Sequence, residues 1–315
     1  MKITTAISIS LIISCIHTPA QNYEKVFLVE GDTSDYYYQV VPEKKASGLL
    51  ILLPGARGDA EWPLKTTKIP YMAAEEGLVT IMISYETWLG FLTDEVLELL
   101  NESIDDVIRK HNIPGNKCVI GGFSSGGNMA LSYAEFAYHD SLTTAVIPKG
   151  VFALDPPVDL TELYNILHQE IQRSYYPDQK VNITEETKSM HEQMTRYLGT
   201  PWDNYDNYVK YSPFLLSEKY GNGGMAINLK NLPVRIYSGF DSEYFNRKAE
   251  ECSLYSPGSP LLISFLRLHG NKNATFKNQY DEDYNPQGGE EFRGRHAWKG
   301  FDSRECVDWI LKTIE

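Results

Sequence analysis

Lys117-Cys118-Val119-Ile120-Gly121-Gly122-Phe123-Ser124-Ser125-Gly126-Gly127-Asn128 is the stretch from which the fold is read. An apolar run over 117–121 reads as a strand, and 128–139 reads as a helix. The break between them carries G-x-S-x-G centred on Ser124. A sharp strand-to-helix turn of this kind needs glycines on either side, because side chains there would collide with neighbouring backbone. Ser125 is the rival hydroxyl, but Phe123 rather than glycine stands two residues before it, so Ser124 is the candidate nucleophile. Ser125 opens the helix, and its backbone N–H belongs to the positive end of the helix dipole. A phosphate-cradling loop is the other reading of a Gly-rich turn, but no Gly-Lys-Ser/Thr ending follows.

Working outward, strands alternate with helical stretches, the pattern of a mostly parallel sheet covered by helices. Segments 25–30 and 36–41 read as an opening antiparallel pair. Leu49-Leu50-Ile51-Leu52-Leu53 is continuously apolar and ends at Pro54-Gly55, as expected of a strand buried on both faces, and 79–84 repeats the signature. Segments 71–77 and 92–111 read as helices, the second with Leu97, Leu100, Ile104, Val107 and Ile108 on one face. Further strands are expected at 151–154, 234–238 and 261–268, and a closing helix at 303–314. The rhythm breaks over 156–231, a stretch rich in Tyr, Gln, Glu and Asn with helical segments at 160–173 and 185–198. It is too long for a plain loop and reads as a helical lid inserted between two core strands.

The 315 residues are 42% hydrophobic and 23% charged, which places the chain among folded globular proteins. Net charge is −13 with no basic cluster, so nucleic acid and anionic membrane surfaces are poor partners. Residues 1–20 read as a secretory signal, with Lys2 followed by an uncharged Ile-rich run too short to cross a bilayer. Thr18-Pro19-Ala20 suits signal-peptidase cleavage, whereas Ile12-Ile13-Ser14-Cys15 suits a lipoprotein signal with a lipid anchor at Cys15. Either way a periplasmic or extracellular location is expected, with 21–315 as one domain. Cleavage after Ala20 leaves Cys118, Cys252 and Cys306, an odd number that excludes a disulfide framework. A Cys252–Cys306 bridge and isolated thiols both remain open, and no Cys/His spacing suggests zinc.

With the elbow at Ser124 inside this strand–helix order, the sequence resembles the α/β-hydrolase superfamily, especially its esterase and prolyl-oligopeptidase-like branches, over most of 49–314. The resemblance implies a Ser-Asp-His triad in that chain order, an oxyanion hole, and no metal or organic cofactor. Pro233-Val234-Arg235-Ile236-Tyr237-Ser238-Gly239-Phe240-Asp241 is similar to the family's acid site, which makes Asp241 the expected acid, with Glu243 and Asp155 as alternatives. Gly294-Arg295-His296-Ala297-Trp298, just ahead of the closing helix, resembles the family's catalytic loop and makes His296 the expected base. His269, directly after the expected strand 261–268, is its rival. Leu53-Pro54-Gly55-Ala56-Arg57-Gly58 matches the loop that supplies the second oxyanion N–H, so Ala56 joins Ser125 as donor.

The expected activity is therefore serine-dependent hydrolysis of a small-molecule or carbohydrate-linked ester. A peptidase of the prolyl-oligopeptidase type and a catalytically silent binding protein on the same fold are the alternatives. Tyr164, Tyr175, Tyr176, Tyr197, Tyr205 and Tyr208 in the inserted segment either line an aromatic- or sugar-binding cleft or pack the lid.

Overall fold

A computed structural model describes residues 23–31, 33–55, 58–85, 90–175, 184–217, 219, 221–239 and 258–315. Residues 1–20, Cys15 among them, lie outside that set, as do Ala56, Tyr176, Asp241, Glu243 and Cys252.

Eight strands form one sheet: β1 Glu24–Phe27, β2 Tyr36–Val40, β3 Gly48–Leu53, β4 Leu78–Ile83, β5 Cys118–Phe123, β6 Gly150–Leu154, β7 Val234–Ser238 and β8 Ala274–Asn278. Their order across the sheet is β1-β2-β4-β3-β5-β6-β7-β8. β2 pairs antiparallel with β1 and β4, and the remaining pairs are parallel. Parallel strands need crossovers, and these are helical. α1 Glu61–Thr66 and α2 Ile69–Glu75 join β3 to β4, and α3 Asp94–His111 joins β4 to β5. α4 Ser125–His139 joins β5 to β6.

The long connection from β6 to β7 holds α5 Leu160–Ser174, α6 Glu185–Leu198, α7 Tyr205–Tyr211 and a 3-10 turn, Ala226–Asn231. α8 Gly258–Leu268 precedes β8, and α9 Ser303–Ile314 closes the chain.

Alternate residues of each strand serve two cores. Leu49, Ile51 and Leu53 of β3 face α3, α4 and α8, whereas Leu50 and Leu52 face α2 and α9. Burial on both faces is why these strands read as unbroken apolar runs. The chain leaves β3 toward β4 with α2 on one face, then returns past β3 to β5 with α3 on the other. The strand order thus reverses between β3 and β5, the place where open α/β sheets bind ligands at the carboxyl ends of their strands.

Two expectations need correction. Segment 261–268 is helix rather than strand: the buried residues of α8, Gly258, Ser259, Leu262, Ile263 and Leu266, step by one or three, so they share one helix face. The last strand is instead β8, in a stretch to which the sequence reading assigns no element. It is an edge strand with only Ala274 buried, so it lacks the apolar signature of its neighbours.

The helices between β6 and β7 gather a small core of their own, with Leu160, Leu163, Tyr164, Leu167, Met194, Leu198 and Tyr208 packed around Phe91. The 3-10 turn that ends this excursion belongs to the main core through Ala226 and Leu229. Among the described residues, no helix is long and apolar enough to cross a membrane.

Candidate active site

The turn after β5 is held in a strained shape. Ser124 has φ +54° and ψ −124°, and its N–H donates to Leu154 O at 2.8 Å. Its own carbonyl accepts from Gly127 and Asn128 N–H groups at 2.9 and 3.1 Å, which starts α4. A Cβ on Gly122 would run into the backbone of Gly126, and one on Gly126 would run into the Pro54 and Leu53 carbonyls. These two approaches are the physical content of the G-x-S-x-G spacing: strand, helix and the end of β3 touch through backbone alone.

His296 reaches this turn from the far end of the chain. Its Nε2 lies 3.0 Å from Ser124 Oγ, and its Nδ1 lies 2.5 Å from Asp155 Oδ2. With Nδ1–H donating to the carboxylate, Nε2 is left as the acceptor for the serine proton. The ring rests on Phe123, centroids 4.6 Å apart, and Phe123 in turn meets Trp298 at 5.2 Å. The loop that carries it is tied down by side chains: Gly294 N–H donates to Gln279 Oε1 at 2.8 Å, and Arg293 Nη2–H donates to Tyr284 O at 2.7 Å. Gly294 has φ +69°, and a side chain there would strike Tyr280. The imidazole stays one-third exposed, so a substrate can reach it, whereas Asp155 is largely buried beneath.

The carboxylate beside His296 is Asp155, in the place that the sequence reading gives to Asp241. Asp241 itself lies outside the described residues. Strand pairing accounts for the position of Asp155. Phe123 is opposite Leu154 and Leu154 opposite Tyr237, so the next residues, Ser124, Asp155 and Ser238, stand abreast at the carboxyl ends of β5, β6 and β7. Neighbouring strands lie about 4.8 Å apart, a spacing one side chain can span. Asp155 adopts φ +52°, a left-handed conformation that aspartate tolerates better than most residues. Its N–H donates to Tyr237 O at 2.7 Å, and its Oδ1 accepts from Ser238 Oγ at 2.6 Å. The following segment is pinned by Asn128 Nδ2–H to Pro157 O at 2.8 Å and by Ser259 Oγ–H to Pro156 O at 3.3 Å.

Ser124 and His296 are therefore brought together as the sequence reading expects, and Ser125 sits buried at the head of α4. Ala56 lies outside the described residues, but its flanks are gripped: the Tyr85 hydroxyl donates to Pro54 O, and Tyr85 N–H donates to Gly58 O at 3.4 Å. His269, the rival base, caps its own helix, with the ring on Phe265 and Nδ1 2.9 Å from Phe265 O. Ser238 carried no signal in the sequence, since a serine ending an apolar strand is unremarkable until the strand beside it is known. Tyr164 and Tyr208 pack the inserted helices, while Tyr175 and Tyr197 are exposed. Among the described residues, no group of three or more His, Cys, Asp or Glu side chains could hold a metal ion. Cys118 and Cys306 are free and buried, and burial pushes the Cys118 thiol up to about 12.

Sequence comparison is silent: no family model matches the chain, and no curated protein does. Solved structures are informative. An esterase from Pyrobaculum calidifontis superposes with a TM-score of 0.57 at 15% identity, covering 94% of this chain and 83% of that one. An S-formylglutathione hydrolase from Agrobacterium tumefaciens gives 0.54 at 13% identity, covering 93% and 95%. The chain has the α/β-hydrolase fold. An acylaminoacyl peptidase from Pyrococcus horikoshii gives 0.54 at 11% identity, with 93% of this chain matched to 44% of the peptidase. At these identities the likeness speaks for the fold alone.

Proposed function

We propose that the chain is a serine hydrolase that cleaves carboxylic esters through an acyl-enzyme on Ser124. One observation carries the reading: a single imidazole, His296, bridges a strained serine hydroxyl at 3.0 Å and a carboxylate at 2.5 Å. A serine hydroxyl is a weak nucleophile until a neighbouring base takes its proton. In the proposed reaction Ser124 Oγ attacks the acyl carbon while its proton passes to His296 Nε2. Collapse of the tetrahedral intermediate expels the alcohol, which carries that proton away. Water then gives a proton to the same nitrogen and attacks the acyl carbon, and the second tetrahedral intermediate expels Ser124 Oγ, which takes that proton back as the acid is released. Asp155 holds the ring in the tautomer with Nδ1 protonated and stabilises the transient imidazolium.

The Ser125 N–H, first of α4, and the Ala56 N–H are the proposed oxyanion donors, each worth on the order of 10²- to 10³-fold in rate. The inserted helices between β6 and β7 are the proposed lid, which would set which esters enter. Small and carbohydrate-linked esters are the proposed substrates. Residues 1–20 support export to the periplasm or outside the cell, through cleavage after Ala20 or through lipid attachment at Cys15.

The test is a panel of p-nitrophenyl esters, acetylated and feruloylated sugars and dipeptide amides, run beside fluorophosphonate labelling. Wild type should hydrolyse esters and take the label, and Ser124→Ala should do neither while Ser125→Ala keeps the label. Amide cleavage without ester cleavage would make the protein a peptidase. A wild type that hydrolyses nothing and resists the label would make it a silent binding protein.

A further inference from the structure

Resting on the hydrolase reading above, we infer that Ser238 is a positioning residue that holds Asp155 in register with His296. Ser238 is the last residue of β7 and is 1% exposed. Its hydroxyl donates to Asp155 Oδ1 at 2.6 Å, in the range of strong hydrogen bonds to a charged oxygen. The other carboxylate oxygen, Oδ2, faces His296 Nδ1. Among the described residues these are the two side chains bonded to that carboxylate.

A carboxylate on a short side chain turns easily about its terminal bond. With one oxygen fixed by a hydroxyl from the next strand, that turn is stopped in the orientation that serves the imidazole. The parallel pairing supplies the precision: Asp155 N–H is bonded to Tyr237 O, so the residue that follows Tyr237 arrives beside the carboxylate automatically. The acid function is thus divided between two strands, the charge coming from the end of β6 and its orientation from the end of β7.

Ser238→Ala and Ser238→Thr, assayed with p-nitrophenyl acetate, test the inference. For Ser238→Ala, kcat should fall by about 10- to 100-fold, the loss usual when a partner behind a functional side chain is removed, with KM within about 2-fold. Ser238→Thr keeps the hydroxyl and should restore kcat to within about 3-fold of wild type. Wild-type kcat in Ser238→Ala would overturn the inference, as would equal damage in both variants. Fluorophosphonate labelling of wild type separates the two failures. An unlabelled wild type sinks the hydrolase reading, whereas a labelled wild type with an unaffected Ser238→Ala sinks this inference alone.

Discussion

Carboxylates in this protein take their roles from what surrounds them. Asp155 sits where three parallel strands end together, whereas Asp106 on α3 is locked into a structural network: Tyr37 Oη donates to it at 2.8 Å, Arg109 Nη2 at 2.8 Å and Lys110 Nζ at 2.6 Å. Burial pushes the Asp106 carboxyl up, but the hydrogen bonds from Lys110 and Tyr37, reinforced by the Lys110 charge, outweigh it and hold the group below the usual aspartate value. A carboxyl lowered by folding stabilises the native state above the ordinary aspartate value, about 3.9, and that contribution is lost as pH falls through the lower native value. Asp106→Asn should therefore cost about 2 kcal/mol at pH 7, the scale of hydrogen bonds to a charged group, and distinctly less near pH 3. Urea denaturation at both pH values checks this, and an equal cost at both would remove the carboxylate from the explanation. Single residues also mark where the sequence is opaque. The turn at Ser124 is legible because its glycines must flank it in the chain, but the pairing of Asp155 with His296 depends on a strand alignment that no local spacing records.

Among the elements, β3, β4, β5 and β6 were legible because burial on both faces leaves unbroken apolar runs, and α6 and α9 because their polar and apolar residues alternate with a helical period. α8 was not, since Leu261, Leu262, Ile263, Phe265, Leu266 and Leu268 are so dense that the helical period is hidden. β8 was missed for the opposite reason, as an edge strand with polar Thr275, Lys277 and Asn278 shows too little apolar signal. The contact between elements that matters most is the crossing of α4 over the end of β3 at Gly126, where no side chain fits against the Pro54 carbonyl. Gly126→Ala should force α4 away, destabilising the fold by about 1–3 kcal/mol as overpacking does and removing most esterase activity. Thermal melting and turnover measured together check this, and a variant with wild-type melting and turnover would show that the crossing has slack.

At the scale of the whole molecule, the sheet acts as a ruler that brings residues 124, 155, 238 and 296 to one edge. The strand order reverses between β3 and β5, and Ser124 directly follows β5. Two cores pack the two faces of the sheet, and the inserted helices carry a separate small core. The acid of the proposed triad is Asp155, at the end of β6, rather than Asp241. The most direct measurement is the esterase kcat of Asp155→Asn beside that of Asp241→Asn, with fold integrity checked by circular dichroism. Asp155→Asn should lose on the order of 10⁴-fold, as expected when the imidazole is left in the wrong tautomer, and Asp241→Asn should stay close to wild type. A folded Asp155→Asn that turns over normally while Asp241→Asn is inactive would contradict the account.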